Sequence, residues 1–119
     1  MGSQSWLGTP SGTGGFAFNL AFALRNKFRI ELYIDTGDAD INKAAFDAIH
    51  EERQSVEDQL AADLSWERLD SRRAFRIAWY WDEPVTVMDD TEKLQKVEDW
   101  AIDSYFKFRD TLTPYLDVM

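Results

Sequence analysis

The stretch Phe28-Arg29-Ile30-Glu31-Leu32-Tyr33-Ile34-Asp35 returns 47 positions later as Phe75-Arg76-Ile77-Ala78-Trp79-Tyr80-Trp81-Asp82, with five of the eight residues identical. Each copy alternates in the two-residue period of a strand with one buried face, and each is followed by apolar residues at helical spacing. The chain therefore reads as one motif written twice. Alternation puts Phe28, Ile30, Leu32 and Ile34, with Phe75, Ile77, Trp79 and Trp81, on the face beneath the helices. The opposite face then carries Arg29, Glu31, Tyr33 and Asp35 beside Arg76, Ala78, Tyr80 and Asp82.

Upstream of the first copy, Phe16, Phe18, Leu20, Phe22 and Leu24 alternate with Ala17, Asn19, Ala21 and Ala23, a strand with one bulky and one small face. Arg25-Asn26-Lys27 turns it into the first copy, without an Asn-Gly or Asp-Gly pair to fix the turn type. Residues 1–15 are rich in Gly, Ser and Thr and read as loop around a short strand at Trp6-Leu7.

Downstream, Asp38 and Asp40 supply capping carboxylates for a helix over about 40–63. Its apolar stripe is Ile41, Ala45, Ile49, Val56 and Leu60, with Phe46 at the margin, while Glu51, Glu52, Glu57 and Asp58 face water. Residues 64–70 form a further strand, and Ser71-Arg72-Arg73 leads into the second copy, which Pro84 ends. Asp89, Asp90 or Thr91 caps a last helix with the stripe Leu94, Val97, Ala101, Tyr105, Phe108 and Leu112, closed by Pro114. The order hairpin, helix, hairpin, helix predicts an α+β fold. Two ββα units, 16–63 and 64–119, make a four-stranded, mainly antiparallel sheet with two helices packed on one face.

A length of 119 residues fits a single domain, and 17 aromatic residues with 45% apolar content exclude a disordered chain. The absence of cysteine excludes disulfide and thiolate chemistry and fits a reducing cytoplasm. No apolar run approaches the roughly 20 residues of a membrane helix, so the expectation is a cytoplasmic protein without a membrane partner. The opening Met1-Gly2-Ser3 reads as an expression scar, which would make the chain an excised piece of a longer protein.

The net charge of −9 opposes phosphate binding as a whole, but it is unevenly distributed. Residues 16–34 sum to +2 and residues 71–81 to +3, leaving −14 elsewhere. The strands are basic and the helices acidic.

A sheet face offering Arg29, Glu31, Tyr33, Arg76 and Tyr80, extended by a strand with Trp66 and Arg68, shares the chemistry of surfaces that stack splayed nucleotides among cations. These seven residues are the candidate binding set. The alternative is structural, with Arg29, Glu31 and Arg76 as cross-strand ion pairs under a tyrosine cover.

Asp38-Ala39-Asp40-Ile41-Asn42 imitates the start of a calcium loop, yet Lys43 stands where glycine is needed and Ile49 where glutamate is needed. Capping explains it better. His50, without a second His or any Cys, reads as a surface residue of a charged helix. No nucleophile elbow, phosphate loop or His-based triad can be assembled, so no catalytic residue, metal or cofactor is assigned and the expectation is a non-enzyme.

Taken in order, Ser5-Trp6-Leu7, Glu31-Leu32-Tyr33-Ile34-Asp35, Asn42-Lys43 with Phe46-Asp47, Leu64-Ser65-Trp66-Glu67-Arg68-Leu69 and Arg73-Ala74-Phe75-Arg76-Ile77 resemble the family catalogued as domain of unknown function 4268. The resemblance implies a mostly prokaryotic accessory domain, often C-terminal to a restriction-type nuclease, linked to nucleic-acid metabolism or defence and without an established activity. No Asp followed by Glu-x-Lys marks a nuclease half in this chain. The expected partners are nucleic acid or an adjoining nuclease domain through the polar sheet face. The alternative is an acidic interaction or inhibitor module whose helices bind a basic protein.

Overall fold

The two copies of the repeated stretch lie side by side. The computed structural model describes residues 15–23, 25–68, 74–86 and 88–116, and residues 3–10 as backbone. Five strands, β1 (Ser3–Pro10), β2 (Phe16–Ala23), β3 (Lys27–Ile34), β4 (Ser65–Arg68) and β5 (Phe75–Tyr80), form one antiparallel sheet in the order β1-β2-β3-β5-β4. Three helices follow the hairpins: α1 (Ala39–Glu51), α2 (Arg53–Leu60) and α3 (Thr91–Leu116). The α+β reading holds, and the order β2-β3-β5-β4 places the two ββα units about a local two-fold between β3 and β5.

The predicted face assignment holds as well. Phe28, Ile30, Leu32, Ile34 and Ile77 are fully buried in one core with Phe46, Ile49 and Val56 of the first helical segment and Val97, Phe108 and Leu112 of α3. Trp79 and Trp81 lie on the same side, their rings 5.4 Å and 5.3 Å from that of Trp100 on α3. Burying side chains of this size stabilises by roughly 1.5–3 kcal/mol each, which ties both helical segments to the repeated strands.

Several local expectations are corrected. The N-terminal segment is a full eight-residue strand and not a loop around Trp6-Leu7, because its amides pair with the otherwise open edge of β2 from Ser3↔Ala23 to Pro10↔Ala17. The four-stranded sheet thereby gains a fifth strand, and Pro10 is accommodated at the end of an edge strand. The single helix over 40–63 breaks at Glu52, whose amide donates to the Ile49 carbonyl while the Arg53 guanidinium donates to that of His50 at 3.0 Å. The break lets α1 lie against β5 and α2 against α3. Ile41 is 55% exposed, and Asn42 and Phe46 take its place on the buried stripe.

Pro114 sits inside the last turn of α3 and does not close it. So near the end of the helix its missing amide costs one bond, that to the Asp110 carbonyl. Residues 69–73, with Arg72, Arg73 and the turn between β4 and β5, lie outside the described residues.

Asp38 caps α1 as predicted, accepting from the amides of Asp40 and Ile41 at 2.9 and 3.1 Å. Asn42, fully buried, accepts from the amide and hydroxyl of Thr36 at 2.7 and 2.6 Å and so locks the β3–α1 turn. The imitation calcium loop is thus occupied by turn chemistry. Gly15 is required there: its φ is +88°, and a Cβ would stand 2.6 Å from the Thr36 Cα.

Candidate functional site

Antiparallel pairing of two copies sets the repeated residues crosswise. Arg29 stands opposite Tyr80, Tyr33 opposite Arg76, and Glu31 opposite Ala78 at the centre. Both guanidiniums therefore point toward one central position, and a single carboxylate fills it. The Arg29 Nε donates to Glu31 Oε1, and the Arg76 Nε lies 3.3 Å from the same oxygen. Asn19 of β2 donates to Glu31 Oε2 at 3.0 Å. A second glutamate at position 78 would face Glu31 directly as a like charge, which explains why the copies differ at this point.

The network continues onto β4. Arg76 Nη1 donates to Glu67 Oε1 at 3.0 Å, the Tyr80 hydroxyl donates to Glu67 Oε2 at 2.8 Å, and the Lys27 ammonium lies 5.2 Å above the Tyr80 ring. Two arginines and two glutamates thus cancel. Arg29 and Glu31 are only 4% and 5% exposed, although both belong to the face opposite the helices. The small residues of β2, Ala17, Asn19 and Ala21, leave room for the long β3 side chains to lie against the sheet.

Burial pushes the Glu67 carboxyl up, but the Tyr80 hydroxyl, Ser65 and Arg76 outweigh it and hold it below the ordinary glutamate value. Tyr80 moves the other way, raised by burial and by the adjacent Glu67. Glu67 is therefore a settled anion and Tyr80 a settled donor.

Of the seven candidate residues, five meet in this network or border it: Arg29, Glu31, Tyr33, Arg76 and Tyr80. Trp66 and Arg68 do not. Their register, Trp66↔Ile77 and Arg68↔Phe75, puts them on the helix side of the sheet, whereas Glu67 between them joins the polar face. Trp66 packs against Phe46 and His50, and the Arg68 guanidinium lies 5.1 Å over the Phe46 ring while donating to Asp47 at 2.9 Å. The two-residue period gives these faces only when the β4–β5 register is known, with Trp66 opposite Ile77 and Arg68 opposite Phe75.

His50 also departs from its expected surface position, stacked on Phe46 with centroids 5.8 Å apart and edge-on to Trp66 at 5.3 Å. Glu57 does not face water: its Oε2 accepts from the Leu64 amide at 2.8 Å and the Trp66 indole at 3.2 Å, fastening the approach to β4.

The remaining acids behave differently. Glu51, Glu52 and Asp58 on the first helical segment, and Glu92, Glu98, Asp99, Asp103 and Asp110 on α3, are exposed, and none of them forms an ion pair among the described residues. A shallow concavity at the end of α2 is lined by Gln54, Glu57, Asp58, Ala61, Ala62 and Asp63. Among the described residues no three His, Asp or Glu side chains are grouped so as to hold a metal ion, and no helix is long and apolar enough to cross a membrane.

The family model described as "Domain of unknown function (DUF4268)" matches residues 2–116, and the chain belongs to that family. Neither a curated protein nor a solved structure matches the chain.

Proposed function

We propose that this member of the DUF4268 family is a non-enzymatic accessory module that acts by protein contact, presenting the carboxylates of its helical layer to a basic surface of a nucleic-acid-handling partner. The observation that carries this reading is the division of labour among charges. On the sheet, Arg29 and Arg76 are engaged by Glu31 and Glu67, so a phosphate could take either guanidinium only by leaving a half-buried or buried carboxylate uncompensated. On the helices, Glu51, Glu52, Asp58, Glu92, Glu98, Asp99, Asp103 and Asp110 are exposed and have no ion-pair partner among the described residues. The nucleic-acid context is what the family resemblance implies for the partner, in keeping with the basic surfaces that such proteins carry.

The test compares binding of the full chain to single- and double-stranded oligonucleotides and to an immobilised lysine-rich protein, each at low and high salt. The expected result is salt-sensitive capture of the basic protein, lost when Glu51, Glu52, Asp58, Asp99 and Asp103 are changed to Lys, and no oligonucleotide binding. Salt-sensitive oligonucleotide binding that weakens on Tyr33→Ala or Lys27→Ala would transfer the function to the polar sheet face and refute the proposal.

A further inference from the structure

Ile102 and Phe106 are 50% and 56% exposed and stand one helical turn apart on α3. Single exposed apolar residues need no explanation, but a pair at i and i+4 makes a continuous apolar strip on a helix face. Beside that strip run Glu92, Asp99, Asp103 and Asp110, spaced by seven, four and seven residues and therefore aligned along one side of the helix. Lys96 and Lys107 lie beyond this acidic row, on the side away from Ile102 and Phe106. The buried stripe of Val97, Ala101, Tyr105, Phe108 and Leu112 faces the core on the other side of the apolar pair.

We infer that the Ile102–Phe106 strip and its acidic row form a docking seat for a basic amphipathic helix of a partner protein, whose apolar residue covers Phe106 and whose Lys or Arg residues meet Asp99, Asp103 and Asp110. The inference rests on the reading above and narrows it, from any basic surface to one with an apolar anchor. Charge complementarity selects the occupant. A second copy would bring the acidic row against itself in a chain of net charge −9, and nucleic acid or an anionic membrane would meet the same repulsion. The row from Glu92 to Asp110 spans about 27 Å at the α-helical rise, the length of a partner helix of roughly 18 residues. An apolar stripe laid along a groove or strip with charged flanks is an established mode of helix recognition.

The experiment uses the 15N-labelled full chain and two synthetic Lys–Leu peptides of roughly 18 residues with the same composition. In one the leucines form a helical stripe, and in the other the order is scrambled so that they do not. The amphipathic peptide is expected to bind at least about tenfold more tightly, to shift the amides around residues 99–110, and to lose about tenfold in affinity on Ile102→Ser with Phe106→Ser. Both residues are exposed, and an unchanged spectrum of the rest of the chain shows that the variant is folded.

If the two peptides bind alike, with shifts spread over all acidic surfaces and no effect of the serine pair, the docking seat is wrong while the acidic-module reading survives. Failure of both peptides to bind at low salt overturns both readings.

Discussion

The polar face of the sheet and the outer face of α3 carry comparable amounts of charge and use it in opposite ways. On the sheet, Arg29, Glu31, Arg76 and Glu67 are paired across three strands, with Glu31 taking both guanidiniums. On α3, Glu92, Asp99, Asp103 and Asp110 stand in a row in water, and Asp99 accepts from Gln95, one turn away at 3.0 Å. The difference teaches that charge counted along the sequence does not locate a binding surface. A basic strand is free to bind only if its cations are not already neutralised by the neighbour that register supplies.

This contrast can be broken by mutation, and the largest effect should come from the sheet. Glu31→Ala leaves two guanidiniums on a buried face without their shared anion and should cost about 3–5 kcal/mol in chemical denaturation. A loss below about 1 kcal/mol would mean that the network is as dispensable as a surface pair.

Glu67→Gln should cost less, about 1–2 kcal/mol at pH 7, since Glu67 is only partly buried. Its folded pKa lies below the unfolded one, so its contribution is present above about pH 4.3 and fades as pH falls through the folded value. The gap between wild type and variant should therefore close in acid. Tyr80→Phe shows the opposite sign: with the Tyr80 pKa raised, its contribution persists below about pH 10 and is lost at higher pH.

The smallest effect on stability belongs to α3, where Asp99→Asn, Asp103→Asn and Asp110→Asn together should change it by within about 0.5 kcal/mol. Weakened capture of a basic partner with unaltered stability would sharpen the contrast between the two faces.

The repeated octapeptide made the fold legible, because two alternating stretches, each followed by helical spacing, leave few arrangements. The burial of Phe28, Ile30, Leu32 and Ile34 followed from alternation alone. The crosswise meeting of Arg29 with Tyr80 and of Tyr33 with Arg76 did not, since it requires the β3–β5 register, a pairing between residues far apart in the chain. Without that register, Arg29 and Arg76 read as available cations and Trp66 and Arg68 as part of the same face.

Local hydrogen bonds were equally hidden where they overrode a pattern. Asn42 displaced Ile41 from the buried stripe because it locks the preceding turn, and Glu57 left the solvated face to hold Leu64 and Trp66. β1 was legible only at Trp6-Leu7, because the Ser, Gln, Gly and Thr residues around that pair carry no apolar alternation and the strand gains its length by pairing with the backbone of β2.

The side-chain Nε–Hε resonances of the arginines test the central claim most directly, recorded on the full chain with and without single-stranded oligonucleotide. Slow solvent exchange is expected for Arg29 and Arg76, fast exchange for the exposed Arg25 and Arg53, and no movement of the first pair when oligonucleotide is added. Fast exchange of Arg29 and Arg76, with shifts that grow on adding oligonucleotide, would contradict it and make the polar sheet face the binding surface.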